Sequence, residues 1–527
     1  MFGFLTPNRR IGTPTRRQSL PSLLSRSGWY NNMEPLYLVR SVSFIFFYRE
    51  HDKNPMEQNR KLVLLFFIIF LEGYIVLSAE LLAIRQTLPF VGSGTDTVSI
   101  IIAAVLMPLA FGYYAGGQHR GRIRNKLVRN LLIAGAFLTV GLSYLVLTWF
   151  FATLTEGLEW KNRLLLITFY ALLFIITPVY LLGQTVPLVS NYFRRAHLPH
   201  AAGKILFYST IGSFLGAVFT TLVLMNTIGV AGTAAVTVAG IAVLIILLSK
   251  LRICRSTMAA VLLFLLAAAL NSPWALEAVG TISNNAYNTA QLEADGDTLY
   301  LRLNRSYASA IYPDNPEDPV FDYVRYIKNH YIRYFKHANM KGKILVLGAG
   351  GFTIGLGDTW NDYVFIDIDS DLKELAEKRF LNRKLDTNKI FIAEPARGYL
   401  NQTKENFDLI IVDVFNGLND APEHLVTREF FMQVRNRLTP SGIVIVNHLG
   451  SPLSEDAYAR GLDNTIRSVF PHANRFSLYD FNPWRAAPSD DKNVLYIARN
   501  FAPDRKENIY TDNLNRAAFD KKQEVPY

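Results

Sequence analysis

The feature that most constrains this fold is a series of long apolar stretches that ends near residue 270. The longest, residues 205–249, contains no Lys, Arg, Asp or Glu over 45 residues. Because about 20 apolar residues cross a bilayer as a helix, this stretch is long enough for two spans, with a break near Gly229 and Gly232. The sequence therefore predicts a helical transmembrane bundle of about seven spans over residues 61–272. The other stretches are 62–82, 97–119, 130–155, 164–193 and the shorter 256–270.

Charge is distributed unevenly along the chain. The first 270 residues carry 24 Lys and Arg against 9 Asp and Glu, and the whole chain has a net charge of +11. The basic residues cluster at 120–129, 194–204 and 250–255, between alternate spans, which is typical of loops that face the cytoplasm. This pattern indicates a lipid bilayer as partner and no nucleic acid. The single cysteine, Cys254, excludes an internal disulfide framework, and no metal site is predicted.

A few further features of the membrane half have two interpretations each. Glu72, Glu80 and Arg85 form either a polar path or amine site between helices, or pair with one another near the interface. The GxxxG patterns at 112–116 and 212–216 favour close helix contacts. Residues 1–60 are basic and are predicted to be poorly ordered, either as a targeting segment or because the translation start is placed too early.

From residue 273 onward the pattern changes to alternating strands and helices. Residues 287–312 are typical of β-hairpin strands, with a turn at 295–297, and residues 321–335 of a helix. Apolar runs typical of buried parallel strands follow, separated by helical segments. We therefore predict a hairpin region with a linking helix at 273–340, a Rossmann-like α/β domain at 341–505 and a tail at 506–527. The apolar runs are 343–347, 363–368, 389–393, 407–412 and 442–446.

Glycines and acids follow these predicted strands. Gly348 and Gly350 come directly after the first, and Asp367, Glu394 and Asp413 end or follow the next three. Ligands of open α/β sheets bind at the carboxyl ends of the strands, and an acid after the second strand accepts ribose hydroxyls. A cationic adenosyl donor and an amine acceptor fit this acidic edge, with Asp413 placed to take a proton from the amine. Each acid is otherwise interpreted as a helix N-cap.

Several motifs together resemble the spermidine synthase (polyamine aminopropyltransferase) family, in the branch that carries an N-terminal multispanning region. The resemblance implies a fold of the S-adenosylmethionine-methyltransferase type. It also implies transfer of an aminopropyl group from decarboxylated S-adenosylmethionine, a co-substrate, to an amine such as putrescine, with a homodimer as the expected assembly. The motifs are Tyr287-Asn288, residues 344–351, Asp367-Ile368-Asp369, residues 413–416, and, in the membrane half, residues 112–117 and 182–187.

Carried over by position, the resemblance assigns roles to individual residues. Asp367 matches the acid that holds the donor ribose in the family, and Asp413 matches the family's proton acceptor. Glycines 348 and 350 and Glu394 complete the donor site. Tyr287, Asn288, Tyr323 and Asn416 are the implied substrate-binding residues.

This chain departs from the family pattern at several positions, and two of these departures replace a carboxylate. Gly351 stands where the family has an aspartate that binds the donor amine, and Asn416 stands where it has a second acid. Since a charge-assisted hydrogen bond contributes about 1.5–3 kcal/mol, we expect weaker binding of a diamine or a decarboxylated donor. A changed acceptor, methyl transfer from S-adenosylmethionine, and a non-catalytic nucleoside- or polyamine-binding sensor or transporter stay open.

The orientation of the soluble domain is the last expectation. A cytosolic donor favours an inner-membrane protein whose soluble domain is cytoplasmic. Seven complete spans with cytoplasmic basic loops would instead place that domain outside. Cytoplasmic basic loops and a cytoplasmic soluble domain are compatible only if residues 256–270 are re-entrant or interfacial.

Overall fold

The computed structural model describes residues 55–92, 94–191, 198–304, 306–415, 421–450, 457–478 and 492–500. A helical domain comes first in these ranges, and an α/β domain follows it. Most of the predicted N-terminal segment 1–60 and the whole predicted tail 506–527 lie outside the described residues.

The predicted helical bundle is confirmed in the described part of the chain. Five helices are long and apolar enough to cross a membrane, and α3 and α4 together pass the same test as a pair bent by 67°. The last helix, α8, has only 16 residues, so the described part of the chain has five or six long spans and one shorter helix, which roughly matches the predicted count of about seven. The helices are α1 (Pro55–Val91), α2 (Thr95–Gly117), α3 (Ile123–Gly141), α4 (Tyr144–Gly157), α5 (Arg163–Ser190), α6 (Ala202–Thr227), α7 (Gly229–Leu248) and α8 (Arg255–Leu270).

Small residues bring the helix backbones into contact, as the GxxxG patterns predict. A Cβ on Gly212 would overlap the carbonyl oxygen of Phe70, and one on Gly216 would overlap that of Tyr74, so α6 can cross α1 this closely only with glycine at both positions. Large apolar side chains such as Leu106 and Phe207 point outward and are more than half exposed, as on a lipid-facing surface.

The two ends of the bundle differ in charge. At one end the Arg124 side chain donates to the Leu248 carbonyl oxygen at 2.6 Å, and Lys61 and Arg252 lie near Lys250. At the other end Ser143 Oγ, between α3 and α4, donates to the carbonyl oxygen of Leu270 at 3.1 Å. Helix α8 therefore runs from the basic end of the bundle to the opposite end.

The soluble domain begins at this opposite end. A short helix, α9 (Pro273–Glu277), leads into a four-stranded antiparallel sheet of order β1-β2-β3-β4. The predicted hairpin is thus a larger unit, although its turn falls where expected, between Asp295 and Thr298. A helix over residues 322–337, α10, joins this sheet to the next one. The strands are β1 (Thr281–Asn284), β2 (Thr289–Asp295), β3 (Thr298–Leu303) and β4 (Ser306–Ile311).

The Rossmann-like sheet has seven strands in the order β10-β11-β9-β8-β5-β6-β7. The five strands from β5 to β9 are parallel. Strands β11 and β10 are antiparallel additions at one edge. The elements are β5 (Lys343–Leu347), β6 (Asp362–Asp367), α11 (372–380), β7 (Lys389–Ala393), α12 (Ala396–Gln402), β8 (Phe407–Val412), α13 (Arg428–Asn436), β9 (Leu438–Gly450), α14 (Ala457–Val469), β10 (Asn474–Ser477) and β11 (Lys492–Arg499).

Both faces of this sheet are buried, which explains its continuous apolar strands. Along β5, Leu345 and Leu347 belong to one hydrophobic core and Ile344 and Val346 to the core on the opposite face. The chain order reverses between β5 and β8, because β6 and β7 extend the sheet to one side and β8 and β9 to the other. Ligand sites of such sheets form at this reversal.

Candidate active site

A cavity of about 710 Å³ opens at the carboxyl ends of β5, β6 and β8. Its volume suits a small-molecule ligand such as a nucleoside together with a small amine. The small sheet closes a second side, and Leu88 of α1 reaches its wall. Seven of the predicted site residues line it: Tyr287, Asn288, Tyr323, Gly348, Gly350, Asp367 and Asp413.

The strand ends meet closely at Gly348. This residue has φ of +91°, and a Cβ there would overlap the carbonyl oxygen of Asp413. The Asp413 amide donates to the Leu347 carbonyl oxygen at 2.8 Å, so the end of β8 is fixed against the end of β5. A glycine is required here because only glycine adopts this conformation without a steric clash.

Asp413 accepts two hydrogen bonds from uncharged side chains. The Tyr323 hydroxyl donates to Oδ2 at 2.8 Å, and the Asn447 amide donates to Oδ1 at 2.9 Å. Burial raises the pKa of the Asp413 carboxyl to about 6, although both hydrogen bonds act in the opposite direction. Burial, with the carboxylate beside it, raises the pKa of the Tyr323 phenol well above its usual range. The phenol therefore stays a donor, and the carboxylate can accept one proton near neutral pH.

Asp367 lies at the end of β6 and is held by backbone groups. Its Oδ2 accepts the Ala349 amide at 3.0 Å, and its Oδ1 accepts the Asp369 amide at 3.1 Å. Burial raises the pKa of this carboxyl, while the backbone hydrogen bonds lower it. Each carboxylate oxygen keeps a lone pair, so Asp367 can still accept hydroxyl groups from a ligand in the cavity.

Asp369 fixes the loop between β1 and β2. Its Oδ1 accepts the Asn285 amide at 2.8 Å, and its Oδ2 accepts the Asn288 amide at 2.9 Å. Burial raises the pKa of the Asp369 carboxyl, and these two amides lower it. The loop residues Tyr287 and Asn288 thereby become part of the wall beside Asp367.

An aromatic wall completes the cavity next to Asp413. The Phe321 and Tyr323 rings stack with centroids 5.9 Å apart, and Tyr300 lies edge-on to Tyr307 at 5.1 Å. All four side chains line the cavity. Aromatic faces attract cations, so this wall suits an ammonium group next to the buried carboxylate.

Three predicted positions need separate description. Glu394 follows β7 as expected, but the cavity wall there consists of its neighbours Pro395 and Ala396. Asn416 lies outside the described residues. Gly351 has no room for a side chain, because a Cβ would overlap the Phe380 ring and Ser309.

Sequence reasoning missed several residues of this site. Asn447 lies in β9 directly after the apolar run 442–446, and this position was a usable signal. Ser309 Oγ accepts the Gly351 amide at 2.8 Å, and Leu88 lines the cavity from the membrane half, and neither has a local sequence signal. No group of three His, Cys, Asp or Glu suited to a metal occurs within the described ranges.

Comparison with known proteins finds a family match within the soluble half. Residues 332–479 match the spermine/spermidine synthase domain. The resemblance found in the sequence is thereby confirmed for this spermine/spermidine synthase domain, which includes Asp367, Asp413 and Asn447. The apolar helices that precede it are compatible with a membrane-fused form.

Individual relatives agree with the domain assignment. The chain is 31% identical over 118 residues to polyamine aminopropyltransferase 2 of Pseudomonas aeruginosa, covering 21% of this chain and 34% of that protein. It is 28% identical over 143 residues to the polyamine aminopropyltransferase of Vibrio vulnificus, covering 26% and 46%. The chain thus spans about a third to a half of the length of these curated relatives.

Among solved structures, a probable spermidine synthase from Corynebacterium glutamicum is similar with a TM-score of 0.35 and 23% identity. That similarity covers 41% of this chain and 78% of the other. The N-methyltransferase NodS from Bradyrhizobium japonicum has a TM-score of 0.23 and 14% identity, covering 34% and 93%.

Proposed function

We propose that this chain is a membrane-bound, aminopropyltransferase-like enzyme that transfers an aminopropyl group from decarboxylated S-adenosylmethionine to an amine such as putrescine. The observation that carries the proposal is the buried Asp413 carboxylate, bonded to Tyr323 and Asn447, in the same cavity as Asp367. The names of the relatives, which are polyamine aminopropyltransferases, support the reaction class.

The proposed step is a displacement at carbon. The amine nitrogen forms a bond to the carbon next to the sulfonium sulfur, and the carbon–sulfur bond breaks with its electron pair going to sulfur. Methylthioadenosine leaves as a neutral thioether, and the proton of the amine passes to Asp413. Asp367 holds the ribose, and the aromatic wall around Tyr323 binds the cationic amine.

The pKa of Asp413 matters for this step. A free primary ammonium has a pKa of about 10.4, so an ordinary Asp accepts its proton only at a cost of about 9 kcal/mol. With the carboxyl pKa raised to about 6, this cost falls to about 6 kcal/mol. Burial therefore makes Asp413 a better base while it is still mostly ionised at pH 7.

A second candidate function is methyl transfer from intact S-adenosylmethionine. The packing of Gly351 against Phe380 and Ser309 favours it, because the position at which the resemblance implies an aspartate for the donor amine has no side chain. The same cavity and the same Asp413 would serve an amine acceptor in that reaction.

Product analysis tests both candidates on the purified full chain in detergent or nanodiscs. With a donor and a panel of amines, methylthioadenosine and an aminopropylated amine support the proposal. S-adenosylhomocysteine supports methyl transfer instead. Ligand binding without either product contradicts both and supports a sensor or transporter.

We further propose an inner-membrane location, with a homodimer as the assembly implied by the resemblance. The soluble domain begins at the end of the bundle opposite Arg124 and Lys250, so cytoplasmic basic loops and a cytoplasmic soluble domain exclude each other. The positive-inside rule favours the first of these, the cytoplasmic location of the basic loops. We therefore propose an extracytoplasmic soluble domain in place of the cytoplasmic one expected from the donor, and both substrates must then reach the cavity from that side.

A further inference from the structure

We propose that the end of membrane helix α1 is a working part of the site, in which Arg85 is a positioning residue for the loop at 285–288. This inference rests on the proposed function in taking that loop as a wall of the amine and donor cavity. It goes beyond it in giving the membrane domain a direct role in substrate binding.

Arg85 binds the loop backbone directly. Its Nε donates to the carbonyl oxygens of Asn285 and Ala286, both at 3.0 Å, and its Nη2 lies 3.4 Å from Thr289 Oγ1. The side chain is only 6% exposed. A buried guanidinium forms strong hydrogen bonds with fixed geometry, so these contacts set the position of the loop relative to α1.

The neighbouring residues of α1 extend this contact. Gln86 is fully buried, and its Oε1 accepts the Asn284 amide at 3.4 Å. Its own amide donates to the Leu142 carbonyl oxygen at 3.0 Å, which ties the same turn of α1 to the break between α3 and α4. Leu88, three residues after Arg85 on the same helix, lines the cavity together with Ala286 and Tyr287.

The loop depends on such supports because it has no regular structure of its own. The amides of Tyr287 and Asn288 both donate to Asn285 Oδ1 at 2.9 Å, and the side chain of Asn285 donates to Asp369. Arg85 holds the carbonyl side of the same Asn285. Asn285 is therefore fixed between the membrane helix and the strand end that carries Asp367.

Electrostatics act in the same direction. The Arg85 guanidinium and the Asp369 carboxylate attract each other across the loop. The loop is thus held between a cation from the membrane half and an anion from the Rossmann-like half. Removing the Arg85 guanidinium releases one side of the cavity wall. The hydrogen bonds that hold Asp367 and Asp413 stay unchanged.

The test uses the full chain in nanodiscs with Arg85→Gln and Arg85→Lys. Backbone hydrogen exchange in the segment 284–289 and the kinetic constants for the amine are measured together. For Arg85→Gln we expect exchange at least about tenfold faster and KM for the amine about 10- to 100-fold higher, because misplacement of a wall by about 1 Å has effects of this size. Affinity for methylthioadenosine should change less than about threefold, because that ligand rests on Asp367. Arg85→Lys should be intermediate, because an ammonium keeps the charge but not the paired geometry.

Arg124→Gln is the matched control. Arg124 also donates its Nε to a backbone carbonyl, that of Leu248, but at the basic end of the bundle. This variant should leave exchange in the loop and KM for the amine unchanged. Equal exchange in wild type and Arg85→Gln, or the same change in Arg124→Gln, would overturn the proposal.

The readouts separate this proposal from the proposed function. If the wild-type chain turns over no amine, the proposed function fails, and the exchange of the loop still decides the role of Arg85. If Arg85→Gln does not fold, Arg85→Lys and Leu88→Ala take its place. Leu88→Ala should raise KM for the amine while loop exchange stays at the wild-type rate. If neither variant has any effect, that result contradicts the inference.

Discussion

At the level of single residues, Asp413 combines burial with hydrogen bonds from two uncharged donors, Tyr323 and Asn447. Within the described part of the chain, no cation bonds to this carboxylate to offset the burial, so the carboxyl pKa rises to about 6 instead of falling. This arrangement costs stability whenever the carboxylate is charged, and it provides a base near neutral pH. A rise in pH therefore provides more of the ionised base at this residue and lowers the stability of the folded state.

We predict that kcat/KM rises with pH through about 6, because only the ionised Asp413 accepts the amine proton. The Asp413→Asn variant should lose at least about a thousandfold in kcat, within the range of general-base contributions. Steady-state rates from pH 5 to 8 check both points. An unchanged kcat in the variant would contradict the role of Asp413.

The Asp413→Asn variant should also be more stable than the wild type at high pH. The folded pKa of about 6 exceeds the ordinary 3.8, so the folded state binds the proton more tightly and the burial penalty is present above pH 6. Asp413→Asn removes a penalty of up to about 3 kcal/mol at pH 8, and the difference should vanish as pH falls toward 4. Melting temperatures at both pH values test this. Asp408→Asn, at the start of β8, is the control: it replaces one of the two carboxylate oxygens that accept the Lys343 amide and the Thr439 hydroxyl, and it should keep kcat.

At the level of elements, the contact between the ends of β5 and β8 determines the site. We predict that Gly348→Ala abolishes donor binding and lowers stability by about 2 kcal/mol or more, because of the φ of +91° and the overlap with the Asp413 carbonyl. Gly398→Ala, in α12, is the matched control, since its Cβ would meet only ordinary contacts with Pro395. Calorimetry and thermal melting measure the two effects. Normal donor binding by Gly348→Ala would contradict this account of the strand ends.

Elements of this kind are largely predictable from the sequence, and their long-range contacts are not. Strands β5 and β8 begin and end where their continuous apolar runs predict, because burial on both faces leaves a local signal, and the less buried edge strand β7 also matches its apolar run. The Tyr323–Asp413 pair joins residues 90 positions apart, and Arg85–Asn285 joins residues 200 apart. No periodicity records such pairs. The small sheet was underestimated for a related reason: the one turn that the sequence marks joins β2 and β3, and the outer strands β1 and β4 pair with these two without such a signal.

At the level of the whole molecule, the bundle separates a basic end from the end that carries the soluble domain. Helix α8 begins at Arg255 near the basic end and ends at Leu270, whose carbonyl accepts Ser143 Oγ. The chain therefore enters the soluble domain on the side away from Arg124 and Lys250. Basic loops stay in the cytoplasm during membrane insertion.

We predict an extracytoplasmic C-terminus. A phosphatase reporter that is active only outside the cytoplasm should be active when fused after Tyr527 and inactive when inserted at Gly121, at the basic end. A fluorescent protein that matures only in the cytoplasm should give the reverse pattern. Cytoplasmic activity at Tyr527 would contradict the predicted orientation and restore a cytoplasmic donor site.

The account as a whole depends on the carboxylates at the sheet edge holding an adenosyl ligand, and Asp367 is the direct test. Titration calorimetry of the full chain with decarboxylated S-adenosylmethionine and with methylthioadenosine should show binding. Asp367→Asn should weaken both by about tenfold or more, because charge-assisted hydrogen bonds to the ribose are lost. Binding of neither compound by the wild-type chain, or equal affinities in wild type and Asp367→Asn, would contradict the account.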